Sequence, residues 1–385
     1  MNLLMVSSDN SIVEGRKGSF FNLLKEFSKY WSRIDILCPR VKGFDGNTLT
    51  ILGSVNFHPS KSSKLVHPLF ILRKGQELMR QREYNLVVSH DFGLQYNGIG
   101  TWLLWRKTRI PYISEIHHIT GYPKAANIEE KLRRCIAETY IRWVWKRAIA
   151  IRVVNSVELP NKLMELGVPR EKILTLYSLY IDFNVFRPMN LPKIYDVAFV
   201  GRFDHNKGVF LILDALSEVK RGLPDVKLVV VGRGKLKNKF FKKASELDLL
   251  GNITYFEWLP HAEEIAEIYN RSRIFLCASF NEGGPRVTVE AMACGTPVIS
   301  TPVGVMKELL KDGENGYLFH WNQKELFHKI LTLLKDENLR RSLGERGRHS
   351  VQCFKYEEVI KNYALTYREL AQKSESISKH KTECV

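Results

Sequence analysis

With 385 residues, 44% of them hydrophobic and 26% charged, the chain is too long for one ordinary compact domain and too apolar to be disordered. Its formal charge of +17 is uneven: residues 1–190 carry 28 basic and 16 acidic side chains, residues 191–385 carry 30 and 25. A basic first half points to an anionic surface or substrate, whether nucleic acid, anionic lipid or a phosphorylated acceptor.

In chain order, the first half alternates short apolar runs with amphipathic stretches. Strands are predicted at 3–7, 34–38, 86–89, 112–116 and 151–154, and helices at 20–30, 95–106 and 128–148. The strand runs lack a period of two, as expected of a parallel sheet covered on both faces. After Phe186-Arg187-Pro188-Met189-Asn190-Leu191-Pro192 the pattern restarts. Strands are predicted at 196–200, 227–231, 253–256, 274–277 and 297–300, with helices at 207–220, 236–248, 262–270 and 288–294 between them. Two doubly wound domains, 1–187 and 188–355, are therefore expected to face each other across a cleft, with ligands beyond the carboxyl ends of the strands. Helices at 324–335, 337–347 and 356–372 follow, the last with an apolar stripe suited to packing on a domain face, and a disordered polar tail is expected over 374–385.

Several chemistries have no motif here. There is no G-K-[ST] phosphate loop, no G-x-S-x-G, no H-E-x-x-H and no Asp-x-Asp. The six cysteines show no C-x-x-C pair and no zinc-like spacing to histidine, and most of them read as buried thiols of a reducing compartment. No segment holds eighteen uncharged apolar residues, so a cytoplasmic protein, or one peripheral on a membrane, is expected.

Four constellations remain. Val200-Gly201-Arg202-Phe203-Asp204-His205-Asn206-Lys207-Gly208 follows a predicted strand and opens a helix. Gly201 admits a close backbone approach, and Arg202 and Lys207 bring two cations to one turn, a pairing suited to a diphosphate. The stretch from Ser279 to Glu308 sets Glu282 and Glu290 on either side of Gly283-Gly284-Pro285, at the mouth of a predicted helix. Carboxylates there accept from hydroxyls, and the free N–H groups of the helix N-terminus suit phosphate. Glu290, set among Val287, Val289, Ala291 and Met292, needs a partner, for which Arg286 is the candidate. His117 continues the register of the strand at 112–116 and is preferred over His118 for facing the cleft. Gly15 and Gly18, between the first strand and first helix, match a dinucleotide-binding loop only loosely, yet leave room for sugar or phosphate.

Taken together these residues resemble the family-four retaining glycosyltransferases (glycosyl transferases group 1), which have the GT-B fold. The resemblance covers nearly the whole chain and is densest over 196–318, where Gly201-Arg202…Lys207-Gly208 and Glu282…Glu290 are matched. Val231-Gly232-Arg233-Gly234, Gly304…Glu308 and Asp312-Gly313…Asn315-Gly316 support it. It implies two Rossmann-like domains, the first completed by the helix at 356–373, the second binding the nucleotide sugar. It also implies that Arg202 and Lys207 hold the donor diphosphate, Glu290 the ribose, and Glu282 with the backbone of Gly284, Pro285, Arg286 and Val287 the sugar, with His117 near the reacting carbon. Retention by same-face attack, without a metal or resident cofactor, belongs to the same implication. The chain departs from the family at Ser178-Leu179 in place of Asn-Gly, at His118 in place of Asp, and in the position of its N-terminal glycines.

The function expected is hexosyl transfer from a UDP- or GDP-sugar to a glycan or lipid-linked glycan, as in cell-surface polysaccharide or lipopolysaccharide biosynthesis. Rival readings are a nucleotide-sugar epimerase and a basic nucleic-acid-binding protein, the second lacking any recognition motif. The basic stretch 131–147, with Trp143 and Trp145, is the expected contact with an anionic bilayer; packing of both tryptophans in the domain core is the alternative.

Overall fold

The computed structural model describes residues 1–383 except 45 and 92–94, with side chains described through residue 374. The first half builds an eight-stranded sheet from β1 (Asn2–Val6), β2 (Arg33–Cys38), β3 (Leu49–Ile51), β4 (Val55–Pro59), β5 (Leu86–His90), β6 (Tyr112–Ile116), β7 (Ala150–Val153) and β8 (Ile173–Thr175). The spatial order is β3-β4-β2-β1-β5-β6-β7-β8, parallel except where β3 meets β4. Along β1, Leu3 and Met5 pack on one side with Phe27, Tyr363 and Tyr367, while Leu4 and Val6 pack on the other with Ile71, Leu104 and Ile141. Both faces are dry, which is why the strand is apolar without alternation.

The second domain repeats the plan with six parallel strands: β9 (Tyr195–Val200), β10 (Leu228–Val231), β11 (Ile253–Phe256), β12 (Ser272–Cys277), β13 (Val298–Ser300) and β14 (Tyr317–Leu318), in the order β11-β10-β9-β12-β13-β14. The chain reverses its winding between β1 and β5 in one sheet and between β9 and β12 in the other. Each reversal opens a crevice at the strands' carboxyl ends. Both crevices open on the same interdomain cleft.

The connection between the domains lies earlier than the predicted boundary at 187. Leu176 and Tyr180 pack into the first core, whereas Leu179, Ile181 and Phe186 already pack into the second. An extended segment sends successive side chains to opposite sides, so one stretch serves both domains. The returning chain crosses beside it: Ile181 N–H donates to the Phe354 carbonyl at 2.7 Å, and Tyr356 N–H to that of Ile181 at 3.2 Å. The helix Tyr356–Glu383 then packs on Ser19–Phe27 of the first domain, as expected of a terminal helix that returns there. It continues through 374–383 where a disordered tail was expected, since that stretch has no glycine or proline to stop it. Residues 384 and 385 lie outside the described residues.

Candidate functional site

The donor-side residues come together at the β9–β12 crevice. Gly201 and Arg202 leave the end of β9, and a single turn of 3-10 helix (His205–Lys207) delivers Lys207 to the cleft. The Lys207 ammonium forms an ion pair with Glu282, which also accepts from the Ser279 hydroxyl at 3.3 Å. Arg202 is 70% exposed and, among the described residues, forms an ion pair with Asp204 alone, at 3.3 Å, leaving its guanidinium available to a ligand. Past Gly284, Pro285 caps the helix Arg286–Ala293, and the N–H groups of Arg286 and Val287 stand in its first turn, which has no internal acceptors.

Glu290 is buried on this helix, and its hydrogen-bond partner is Tyr269, whose hydroxyl donates to it at 3.2 Å. Arg286 is not that partner. Its guanidinium lies 4.2 Å over the Tyr180 ring and lines the first domain's side of the cleft. Burial raises the Glu290 pKa, partly opposed by the charge of Arg286. Its carboxyl is thus held back from solvent.

Across the cleft, a hollow of about 350 Å3 is lined by Ser7, Ser19, His90, His117, Arg152 and Arg286, among others. The organising group is Glu115, fully buried in β6. It accepts from His117 at 2.8 Å, Arg152 at 3.0 Å, Tyr367 at 2.6 Å and Tyr363. Burial pushes its pKa up, but the charges of His90 and Arg152 and the His117 hydrogen bond outweigh that and hold it well below the usual carboxylate range. Arg152, also fully buried, fixes its other nitrogens on the Leu176 carbonyl at 2.8 and 2.5 Å.

Both histidines reach the cleft, with different neighbours. His117, 41% exposed, is held by Glu115, to which its Nε2–H donates, and the Arg152 guanidinium lies 3.1 Å from that same nitrogen. His118, which the sequence reading set aside, lies within electrostatic reach of Glu282, Lys207 and Arg202. Burial lowers its pKa, so it is a neutral imidazole at neutral pH. Gly15 and Gly18 are not among the residues that line the hollow; Ser7, Ser8, Asp9 and Ser19 form that wall.

Several direct contacts hold the domains together. A Cβ at Gly283 would fall 2.0 Å from the His117 carbonyl oxygen, so the glycine loop and the segment after β6 touch backbone to backbone. Asn155 donates to the Gly283 carbonyl at 3.2 Å, Ser156 to Glu308 at 2.7 Å from both backbone and hydroxyl, and Tyr177 to Glu308 at 2.8 Å. On the other flank, Asn281 donates to Glu130 at 2.8 Å, and the Lys124 ammonium sits 5.7 and 4.9 Å over the rings of Phe280 and Trp321.

Arg152, Tyr363 and Tyr367 were missed as site residues. One signal was available: an arginine inside the apolar run Ala150–Val153 needs a buried anion. The tyrosines read only as an apolar stripe. Among the described residues no helix is long and apolar enough to cross a membrane.

Residues 186–350 match the family model described as glycosyl transferases group 1. A D-inositol 3-phosphate glycosyltransferase of Corynebacterium aurimucosum is 31% identical over 300 residues, 71% of this chain and 69% of that protein. An uncharacterized glycosyltransferase of Methanocaldococcus jannaschii is 34% identical over 176 residues, 45% of this chain and 48% of the relative, so there the match spans about half of the curated protein. Among solved structures, sucrose-phosphate synthase from Thermosynechococcus elongatus superposes with a TM-score of 0.80 at 18% identity, over 96% of this chain and 98% of the other. Anabaena HepE in complex with UDP and glucose gives 0.74 at 18%, over 96% and 100%. The architecture is that of GT-B proteins.

Proposed function

Since the chain belongs to the glycosyl transferases group 1 family, we propose that it moves a hexosyl group from a UDP- or GDP-sugar to a glycan or lipid-linked glycan, with retention of configuration. The observation that carries this reading is the meeting of Arg202, Lys207 and Glu282 at the β9–β12 crevice, facing His117 and His118 across the cleft. Lys207 and Glu282 neutralise each other in this arrangement. A donor whose diphosphate takes Lys207 and whose sugar hydroxyls donate to Glu282 replaces that one pair with two sets of charge-assisted contacts. Glu290 takes the ribose, and the backbone of Gly284 to Val287 completes the sugar and phosphate sites.

When the glycosidic bond to the diphosphate breaks, negative charge grows on the leaving oxygen. Arg202 and Lys207 are fixed beside it and stabilise that charge without a metal. The acceptor attacks from the same face, and the departing phosphate takes its proton. His117, held by Glu115, lines the acceptor side. That solved UDP complexes share the fold supports the nucleotide class.

A lipid-linked acceptor is supported by the helix Ile128–Val144. Trp143 and Trp145 pack against the first domain's core, but Ile128, Leu132 and Ile136 form an exposed apolar stripe, 82%, 63% and 37% accessible, beside Lys131 and Arg133. Such a face suits an anionic bilayer. Replacing Ile128 and Leu132 by Ser should abolish sedimentation with phosphatidylglycerol vesicles at low salt; undiminished binding would refute this contact.

The decisive test of the function is a thermal-shift screen of UDP- and GDP-hexoses, followed by transfer in EDTA with NMR of the product anomer. A donor at a hundred times its Kd stabilises by about 2.7 kcal/mol. No stabilising nucleotide sugar, or an inverted product, would overturn the reading.

A further inference from the structure

At the opposite end of the second sheet from the cleft, a groove of about 780 Å3 is bounded by Lys193, Arg273 and Pro297, which lie at or just before the starts of β9, β12 and β13. Its far wall is the helix Glu337–Ser350, which contributes Arg340, Arg341 and Arg348. Five basic side chains thus surround it against the two carboxylates of Glu337 and Glu345, over a floor that includes Met189 and Pro297.

The protein's own acceptors leave much of this charge unmatched. Lys193 spends two of its three donors on the carbonyls of Asn270 and Ser272, at 2.8 and 3.0 Å. Arg340 gives one nitrogen to the carbonyls of Leu333 and Leu334, at 2.5 and 2.9 Å. Arg273 reaches Asp196 at 3.0 Å, Arg341 reaches Glu337 only at 3.7 Å, and Arg348 has no ion pair among the described residues. Burial lowers the pKa of Arg340, and Arg273 lowers it further by repulsion; burial and then Arg340 act likewise against Lys193, where Cys294 partly opposes them. Cations crowded round a concavity cost free energy that an anion of matching size recovers.

We propose that this groove binds a phosphorylated small molecule, its phosphate gripped by Arg340, Arg341 and Arg348 and its organic part resting on Met189 and Pro297. The recess between three elements, with Glu337 and Glu345 among its lining, suits one compact dianion rather than an extended polyanion. Cys294 and Gly295, at the carboxyl end of the helix that carries Glu290, form part of the wall, so an occupant touches the donor helix from its far end.

The test is calorimetric titration of the full chain with glycerol phosphate and with inorganic phosphate at physiological salt. Three proteins are compared: wild type, the double variant Arg341→Glu/Arg348→Glu, and Lys207→Ala. Arg341 and Arg348 are exposed, and the melting temperature of the double variant should match wild type. Saturable binding is expected in wild type and Lys207→Ala, weakened at least about tenfold in the double variant. No saturable binding in wild type, or equal binding in the double variant, overturns the proposal. So does a groove that reads lipid: phosphatidylglycerol vesicle binding lost in the double variant while glycerol phosphate fails to bind wild type.

Discussion

At the scale of single residues, the Lys207–Glu282 pair concentrates the proposed chemistry. Each partner is mostly buried, with 15% and 18% of its side chain accessible, so neither is a freely solvated surface charge. Lys207→Ala should leave the fold intact and lower kcat by about 100- to 1000-fold, as loss of one fixed donor to a developing oxyanion does elsewhere. Circular dichroism with steady-state kinetics checks this, and unimpaired turnover would remove Lys207 from the mechanism. Lys207→Arg should restore only part of the rate, because a planar fork does not reproduce a compact ammonium. Gly283 tests a different property. A methyl group there meets the His117 carbonyl at 2.0 Å, backbone against backbone, so Gly283→Ala must push the two domains apart at the reacting centre. Transfer should fall at least about 100-fold, since a displacement of about 1 Å is enough for that. Full activity would mean that the domains need not meet here.

At the scale of elements, what was legible follows from burial. β6 and the strand at 253–256 were read at their true limits, because Pro111 and His117 bound the one and Asn252 and Glu257 the other. The donor helix and its glycine-rich entry were legible for the same reason that they are chemically useful: a carboxylate among apolar neighbours stands out. The β3–β4 edge, the helix His67–Gln81 and the short strand β8 went unread. β4 carries Asn56 and His58 at buried positions, and their hydrogen bonds, to Thr50 and Asp35, lie in other elements and have no local sequence signature. Glu115 illustrates the same limit. Its donors arrive from His117 just past β6, from β7 and from the terminal helix, the last of them 252 residues away in the chain. Because Tyr363 and Tyr367 clasp this carboxylate, the terminal helix serves as a positioning element for His117. Tyr367→Phe removes one donor and should cost about 1–3 kcal/mol in denaturant unfolding, with KM for the acceptor rising more than that for the donor. Equal changes in both would reduce the helix to a structural brace.

At the scale of the whole molecule, the interface between domains contains a carboxyl group that behaves unlike its neighbours. Glu158 is buried at the first domain's edge; one oxygen accepts from the Gly304 N–H across the interface at 3.0 Å, and the other has no hydrogen-bond partner among the described residues. Burial pushes its pKa up to about 8, the Gly304 hydrogen bond and Lys307 oppose this, and Glu308 adds to it. Tyr122 is the other titratable group that feels it. The neutral form is therefore the one that fits the closed interface. Below the ordinary carboxylate range both the closed and the solvated forms are protonated, and the contribution is complete. As pH rises from there towards 8, the solvated form ionises while the buried one does not, so closure weakens by up to about 1.4 kcal/mol per pH unit from this group. Above 8 the loss levels off. Melting temperature recorded from pH 5 to pH 9 should fall more steeply for wild type than for Glu158→Gln, whose amide keeps the shape without titrating. Small-angle scattering should report a wider separation of the domains at pH 9 in wild type alone. Parallel pH profiles for the two proteins would show that ionisation of Glu158 does not govern closure, and would leave the Ser156, Tyr177 and Glu308 contacts to hold the cleft shut.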